Sequence, residues 1–148
     1  MTPLTFRETE GFELEQIIVS GLLPPHFLSP DPIQDLRSYV ADYLKEEIAA
    51  EAVIQHIPSF AEFLRVAALT SGELLNYTNV ARETGVSAKV VRNYFQILED
   101  TLIGFRVRPW QRVRRRRLTE TEKFYLFDVG VSNYLARRTP RIGTPEFG

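Results

Sequence analysis

The sequence contains no cysteine, so neither a disulfide framework nor a metal site with thiolate ligands is possible. Histidine is almost as scarce: only His26 and His56 occur, and neither has acidic neighbours at the spacing of a metal site or a catalytic pair. These absences predict a chain without a metal centre, a cofactor or a catalytic residue of its own.

Long hydrophobic runs are also absent, because apolar stretches such as Ile17 to Val19 are far shorter than the roughly 20 residues that cross a bilayer. The N-terminus lacks the basic-then-apolar order of a secretion signal. Both observations predict a soluble, cytoplasmic protein with no membrane partner. A length of 148 residues, of which 44% are hydrophobic, is that of one globular domain with one core.

Acidic and basic side chains are unevenly distributed along the chain, although the net charge is only −1. Residues 1–74 carry 4 basic and 12 acidic side chains, a balance of −8, whereas residues 75–148 carry 14 and 7, a balance of +7. This asymmetry is typical of a surface that binds nucleic acid or an acidic partner. The same asymmetry is expected if the two halves of the chain attract each other.

Helical patterns fill the N-terminal half. A short helix is predicted to end at Gly21, because glycine readily adopts the left-handed conformation that ends helices. Asp31 is suited to cap an amphipathic helix that has Pro32 at its first position. Farther along, Ser59 and Glu62 have the spacing of a capping box at the start of another helix.

The segment NYTNVARETGVSAKVVRNYFQILED, from Asn76 to Asp100, predicts two helices joined by a tight turn. Ala81 supplies the small residue that is needed where the two helices cross, and Gly85 supplies the positive φ of the turn. Ser87 is the predicted cap of the second helix. The spacing of four residues from alanine to glycine is typical of helix-turn-helix units.

The second helix of this unit has one apolar and one polar face. The predicted buried stripe consists of Val91, Tyr94, Phe95 and Leu98. The polar face carries side-chain types that reach phosphates and base edges in DNA complexes. These candidate DNA contacts are Lys89, Arg92, Asn93 and Gln96. Helix-turn-helix units also serve as packing or dimerisation modules, so a scaffolding role is the alternative.

After this helix the hydrophobic period changes from 3.6 towards 2, which predicts two strands forming a hairpin, or wing. The strands are predicted within Leu102 to Val107 and within KFYLFDVG, Lys123 to Gly130. Between them lies RVRPWQRVRRRR, in which seven of twelve residues are arginine. Consecutive arginines cannot line a half-buried strand, because successive side chains face opposite sides. We therefore expect these candidate DNA contacts at the tip of the wing: Arg112, Arg114, Arg115, Arg116 and Arg117.

Two single residues near the wing have structural interpretations. Trp110 directly follows Pro109 at the end of an apolar strand, which favours a core anchor at the base of the wing over a base-stacking platform. Asp128 precedes VGVSNYLARR and is interpreted as the cap of a last helix rather than as a metal ligand.

The ordered set LLNYTNVARETGVS, YFQILEDTLIGF and KFYLFDVGV resembles the region after the nucleotide-binding domain in a large group of prokaryotic P-loop ATPases of the AAA type. The resemblance covers nearly the whole chain. It implies a winged-helix region that lies, in fuller members, between an ATPase core and a C-terminal domain similar to restriction-type nucleases. It also implies a helical lobe over residues 1–55, a winged-helix domain over 56–138 and a tail over 139–148, where GTPEFG resembles the entry to a further domain.

The chain departs from the ATPase pattern in one respect that bears on activity. No glycine is followed by lysine, so the phosphate-cradling GxxxxGK[ST] loop is absent, and no acid-lysine cluster of a nuclease centre occurs. We expect that this chain does not hydrolyse ATP. The abrupt end at GTPEFG favours a fragment.

The expected fold is mainly α-helical with a small β hairpin, namely a winged helix-turn-helix with an N-terminal helical lobe. The expected function is DNA binding as an accessory domain of an ATPase, whose core and other domains are further partners. One alternative is a protein-interaction or self-association module, which would include a homo-oligomer. The other is a free-standing transcriptional regulator.

Overall fold

The structure, a computed structural model, describes residues 3–50, 57–109 and 121–139 together with Gly143. The helices in these ranges are α1 (Leu14–Ser20), α2 (Pro24–Phe27), α3 (Pro32–Ala50), α4 (Ile57–Leu69), α5 (Tyr77–Thr84), α6 (Ala88–Asp100) and α7 (Val129–Ala136). The strands are β1 (Gly104–Val107) and β2 (Lys123–Leu126), which form an antiparallel sheet. The predicted class, mainly helical with a small β hairpin, is confirmed. None of the helices in the described ranges is both long and apolar enough to span a bilayer.

Helices α1 and α3 follow the local signals in the sequence, whereas the short α2 was not predicted. Helix α1 ends at Gly21, which has the positive φ of 75° that favours glycine. At the start of α3, Asp31 Oδ1 accepts a hydrogen bond of 3.1 Å from the backbone N–H of Gln34, which is the predicted capping interaction. Leu36 and Val40 of α3 are buried, and they pack with Leu23 in a small apolar cluster.

The capping box predicted at Ser59 and Glu62 is wrong. Helix α4 includes Ile57, so Ser59 already lies inside the helix and cannot serve as its extended cap residue. The Glu62 carboxylate instead pairs with Arg65 one turn later, at 2.6 Å between Oε1 and Nη2. The hydrogen bond from Arg65 lowers the pKa of Glu62 from its ordinary value.

The tight turn between α5 and α6 has the predicted geometry. Gly85 adopts the left-handed conformation, with φ of 69° and ψ of 17°. Ser87 Oγ accepts a hydrogen bond of 3.3 Å from the backbone N–H of Val90 and thereby caps α6. Ala81 and Val86 are partly buried against the core, and for Ala81 this agrees with the small residue expected where the helices cross.

Helix α6 is attached to the rest of the molecule through the ring of Phe95. This ring lies 4.9 Å from Phe63 of α4, 4.8 Å from Phe124 of β2 and 5.8 Å from Tyr77 of α5, measured between centroids. The contacts are edge-to-face, which is a favourable geometry for aromatic pairs. Phe95 is fully buried. Three elements therefore meet on a single side chain of α6.

The hairpin begins two residues later than predicted. Leu102 is 80% exposed with a φ of 60°, and its N–H bonds to the carbonyl of Glu99, so it belongs to the turn that leaves α6. The strands then pair from Gly104 opposite Leu126 to Val107 opposite Lys123. A single bridge between Leu74 and Lys123 adds a short extended segment on the other side of β2.

Asp128 caps α7, as predicted, and it also makes a contact that the sequence does not indicate. Its Oδ1 accepts the N–H of Val131 at 2.9 Å, while its Oδ2 accepts the N–H of Leu22 at 2.7 Å, 106 residues away in the chain. Beside it, a Cβ on Gly130 would lie 2.5 Å from the backbone nitrogen of Gly21. One buried carboxylate and one close backbone approach thus join α1 to α7.

The predicted domain limits fall partly outside the described residues. The boundary near residue 55 lies between α3 and α4, where residues 51–56 are not described, and most of the 139–148 tail is not described either. Helix α7, assigned to the winged-helix part, packs against α1, α3 and α4. The division into 1–55, 56–138 and 139–148 stays a prediction.

The conformation of Gly85 predicts a difference between two substitutions. Gly85→Val places a β-branched side chain at positive φ and should lower the free energy of unfolding by about 1–3 kcal/mol. Gly85→Asn should cost clearly less, because asparagine tolerates this region. No heavy atom lies within 4 Å of a Cβ built at this position, so crowding does not affect the comparison. Chemical denaturation measures both values, and equal unfolding free energies would show that the turn is assigned wrongly.

Candidate nucleic-acid interface

The polar face of α6 is exposed, as predicted. Burial of the apolar stripe on the opposite side fixes the rotation of the helix about its axis. The exposed side chains include Lys89, Arg92, Asn93 and Gln96, and the Gln96 amide donates a hydrogen bond of 2.9 Å to Oδ1 of the exposed Asp100. The acidic helix α3 packs against α1, α2 and α7. Among the described residues, this face of α6 is exposed to solvent.

Arg92 is held in place on this face by Tyr77 of α5. The guanidinium carbon lies 5.0 Å from the centroid of the tyrosine ring, a cation–π distance. The Tyr77 hydroxyl donates a hydrogen bond of 3.1 Å to Glu122 Oε1, just before β2. Burial raises the pKa of Tyr77 above its ordinary value, so the hydroxyl stays a donor at neutral pH. The position of Arg92 is thus linked to the base of the hairpin.

Arg106, the first arginine of the basic run, points towards the protein rather than into solvent. Its Nη1 lies 2.9 Å from Glu99 Oε2, and its backbone N–H donates to Glu99 Oε1 at 3.0 Å. Its Nε lies 3.3 Å from Glu122 Oε1. This distance is short enough for an ion pair, but the geometry is not that of a hydrogen bond. The two carboxylates neutralise Arg106 and tie the last turn of α6 to both strands.

The pairing of Arg106 was missed at the sequence level, although strand alternation carries the signal. Arg106 is two residues from the buried Gly104, so both lie on the same face of β1. Arg108, which follows the strand, is exposed. The predicted wing contacts all lie outside the described residues, and so does Trp110. These contacts are Arg112, Arg114, Arg115, Arg116 and Arg117.

A groove of about 720 Å³ lies away from the turn, between α1, α3, α4 and α7. Apolar side chains such as Val19, Ile33 and Leu36 line part of it, and Arg137 and Arg138 line another part. No sequence pattern indicated this groove, because its walls come from helices that are distant in the chain.

His26 has a packing role. His26 is buried, and its ring packs edge-on against Tyr39 at 5.3 Å between centroids. His56 lies outside the described residues. Within the described ranges, no three histidine, aspartate or glutamate side chains are grouped so as to hold a metal ion.

The contrast between Arg106 and Arg108 predicts different costs for the same substitution. Arg106→Gln leaves Glu99 and Glu122 without their cation and should lower the free energy of unfolding by about 1–3 kcal/mol. Arg108→Gln changes an exposed side chain and should stay within about 0.5 kcal/mol of the parent. Urea denaturation gives both values. A cost for Arg106→Gln no larger than that for Arg108→Gln would contradict the assigned contacts.

Comparison with known proteins gives a family and distant relatives. Residues 11–141 match the family described as "Domain of unknown function (DUF8612)". The chain is similar to "Uncharacterized protein Mb2031c" of Mycobacterium bovis and "Uncharacterized protein Rv2008c" of Mycobacterium tuberculosis, with 23% identity over 154 residues in each case. Each alignment covers 97% of this chain and 35% of the relative, so the chain spans about a third of their length. No solved structure gives a significant match. Because the matched region includes most of its residues, the chain belongs to the DUF8612 family.

Proposed function

We propose that this chain is a winged-helix domain that binds duplex DNA, with α6 in the major groove and the basic segment after β1 on the phosphates. The observation that carries the proposal is the open polar face of α6, formed by Lys89, Arg92, Asn93 and Gln96. An α-helix fits the major groove, and these side-chain types bind phosphates and base edges.

The charges and contacts around α6 support this orientation. Residues 75–148 carry a balance of +7, and these residues include α6 and the whole hairpin. Arg92 rests on the Tyr77 ring, which limits its freedom before any ligand arrives and lowers the entropic cost of binding. The ion pairs of Arg106 support a fixed angle between α6 and the hairpin. Helix and wing would then bind one duplex as a rigid unit.

In this proposal the domain is the accessory part of a prokaryotic AAA-type ATPase and has no ATP site, cofactor or catalytic residue itself. The support is the sequence resemblance, together with relatives about three times the length of the matched region. The ATPase core and neighbouring domains would be its other partners. Its location would be the cytoplasm, where the DNA of a prokaryotic cell lies, with no membrane partner. A free-standing transcriptional regulator would use the same face of α6.

A second candidate function is a protein-interaction or self-association module. The groove between α1, α3, α4 and α7 favours it, since a concave site of about 720 Å³ with an apolar part is suited to bind a side chain or a short segment. In that case the domain couples an ATPase core to its neighbours or forms a homo-oligomer, and α6 stays free.

Two sets of substitutions test the DNA proposal through the salt dependence of binding. Replacing Arg114, Arg115, Arg116 and Arg117 by serine should weaken binding to all duplexes alike. The slope of log K against log salt should flatten by roughly 2–4, near 0.9 for each phosphate that loses its arginine. The double change Asn93→Ala and Gln96→Ala should alter the preference among sequences and leave that slope nearly intact. Fluorescence anisotropy at several salt concentrations measures both effects.

The matched control is Arg37→Ser, which removes an exposed arginine of α3 and should leave both affinity and slope unchanged. Parent-like binding of the four-serine protein at every salt concentration would rule out the wing as a DNA contact. Absence of duplex binding by the parent itself would leave the interaction module as the better account.

A further inference from the structure

The hairpin has a second face, which α6 does not cover. Phe124 and Leu126 of β2 are buried and point to the core. Because successive side chains of a strand alternate, Lys123 and Tyr125 point to the opposite face. In an antiparallel pair, directly opposite residues share a face. The outer face of the sheet is therefore defined by the register.

This outer face consists of two rows of side chains: Phe105 with Tyr125, and Val107 with Lys123 and Leu74. The Phe105 and Tyr125 rings stack with centroids 5.8 Å apart and planes 21° apart. Phe105 is 51% exposed, Val107 44% and Leu74 61%. The described part of the molecule thus presents an open patch of aromatic and apolar surface on a sheet.

The charges at this patch identify the kind of partner. Lys123 stands in the middle of its row, between Val107 and Leu74, and is exposed. No acidic residue belongs to the two rows. A purely apolar partner would bury the lysine ammonium without a counter-charge, which is unfavourable. A partner with flat aromatic groups and negative charges at regular intervals satisfies both the rings and the lysine ammonium.

We propose that the outer face binds single-stranded nucleic acid, with bases stacked on Phe105 and Tyr125 and a phosphate near Lys123. Exposed aromatic rings beside cations are the arrangement by which single strands are bound without sequence preference. A duplex does not offer the same contacts, since its bases are stacked on one another inside the helix. This site is therefore distinct from the face of α6, and it uses different residues.

The experiment measures binding of a fluorescein-labelled oligothymidylate by anisotropy, with substitutions that separate stacking from apolar contact. Phe105→Ala and Phe105→Leu should both weaken binding on the order of tenfold or more, because leucine keeps apolar area but offers no ring. Phe105→Trp should bind at least as well as the parent. Lys123→Ser should flatten the slope of log K against log salt by about 0.7, the value for one phosphate contact on a single strand.

Leu28→Ala is the control, because it removes another large side chain that is 74% exposed and directly follows α2, which packs against α1 and α3. It should bind oligothymidylate as the parent does. Thermal melting of each variant establishes that it is folded. Binding by Phe105→Leu equal to that of the parent would overturn the proposal, and so would failure of the parent to bind oligothymidylate.

The result is independent of the duplex experiment. Phe105→Leu should leave duplex affinity unchanged, and the double substitution at Asn93 and Gln96 should leave oligothymidylate affinity unchanged. The two binding measurements therefore test the two proposed sites separately. A different outcome would assign the outer face to a second copy of the chain. In that outcome the parent binds no nucleic acid and forms dimers in sedimentation, whereas Phe105→Ala and Lys123→Ser form none.

Discussion

The burial of Phe95 is the constraint on which the arrangement of the C-terminal half depends. Its ring contacts α4, α5 and β2 through Phe63, Tyr77 and Phe124, so rotation of α6 about its axis would break all three contacts at once. With the apolar stripe that includes Phe95 turned inward, helical periodicity places Lys89, Asn93 and Gln96 on the opposite side of α6, in solvent. The face proposed to bind DNA is thus a consequence of core packing.

A second set of contacts determines which positive charges are free. Arg106 belongs to the arginine-rich run, yet Glu99 and Glu122 neutralise it and use it to hold the strands against α6. Of the two arginines of the run that the structure describes, Arg108, beyond the paired residues of the sheet, is the exposed one. The same Glu122 binds the Tyr77 hydroxyl beneath Arg92. The Glu122 carboxylate therefore contacts Arg106 directly and is linked to the exposed Arg92 through Tyr77.

Sequence patterns predicted the features that depend on a few neighbouring residues. The left-handed Gly85 and the caps at Asp31 and Ser87 follow from backbone sterics and short side chains that reach only the next turn. The error at Ser59 has the same origin, since a capping box has the same spacing as any pair one turn apart inside a helix. Hydrophobic periodicity carries no information about tertiary packing. Three features depend on that packing and were not predicted: the hydrogen bond from Leu22 to Asp128, the partners of Arg106 and the groove.

The central claim, that the exposed face of α6 binds duplex DNA, is tested most directly by two-dimensional 1H–15N NMR of the labelled chain during titration with a duplex. The account predicts that the largest chemical-shift changes occur at the backbone amides of Lys89, Arg92, Asn93 and Gln96. Amides along the groove, such as those of Val19 and Ile33, should stay unchanged. Changes confined to the groove, or no saturable change on α6, would contradict it.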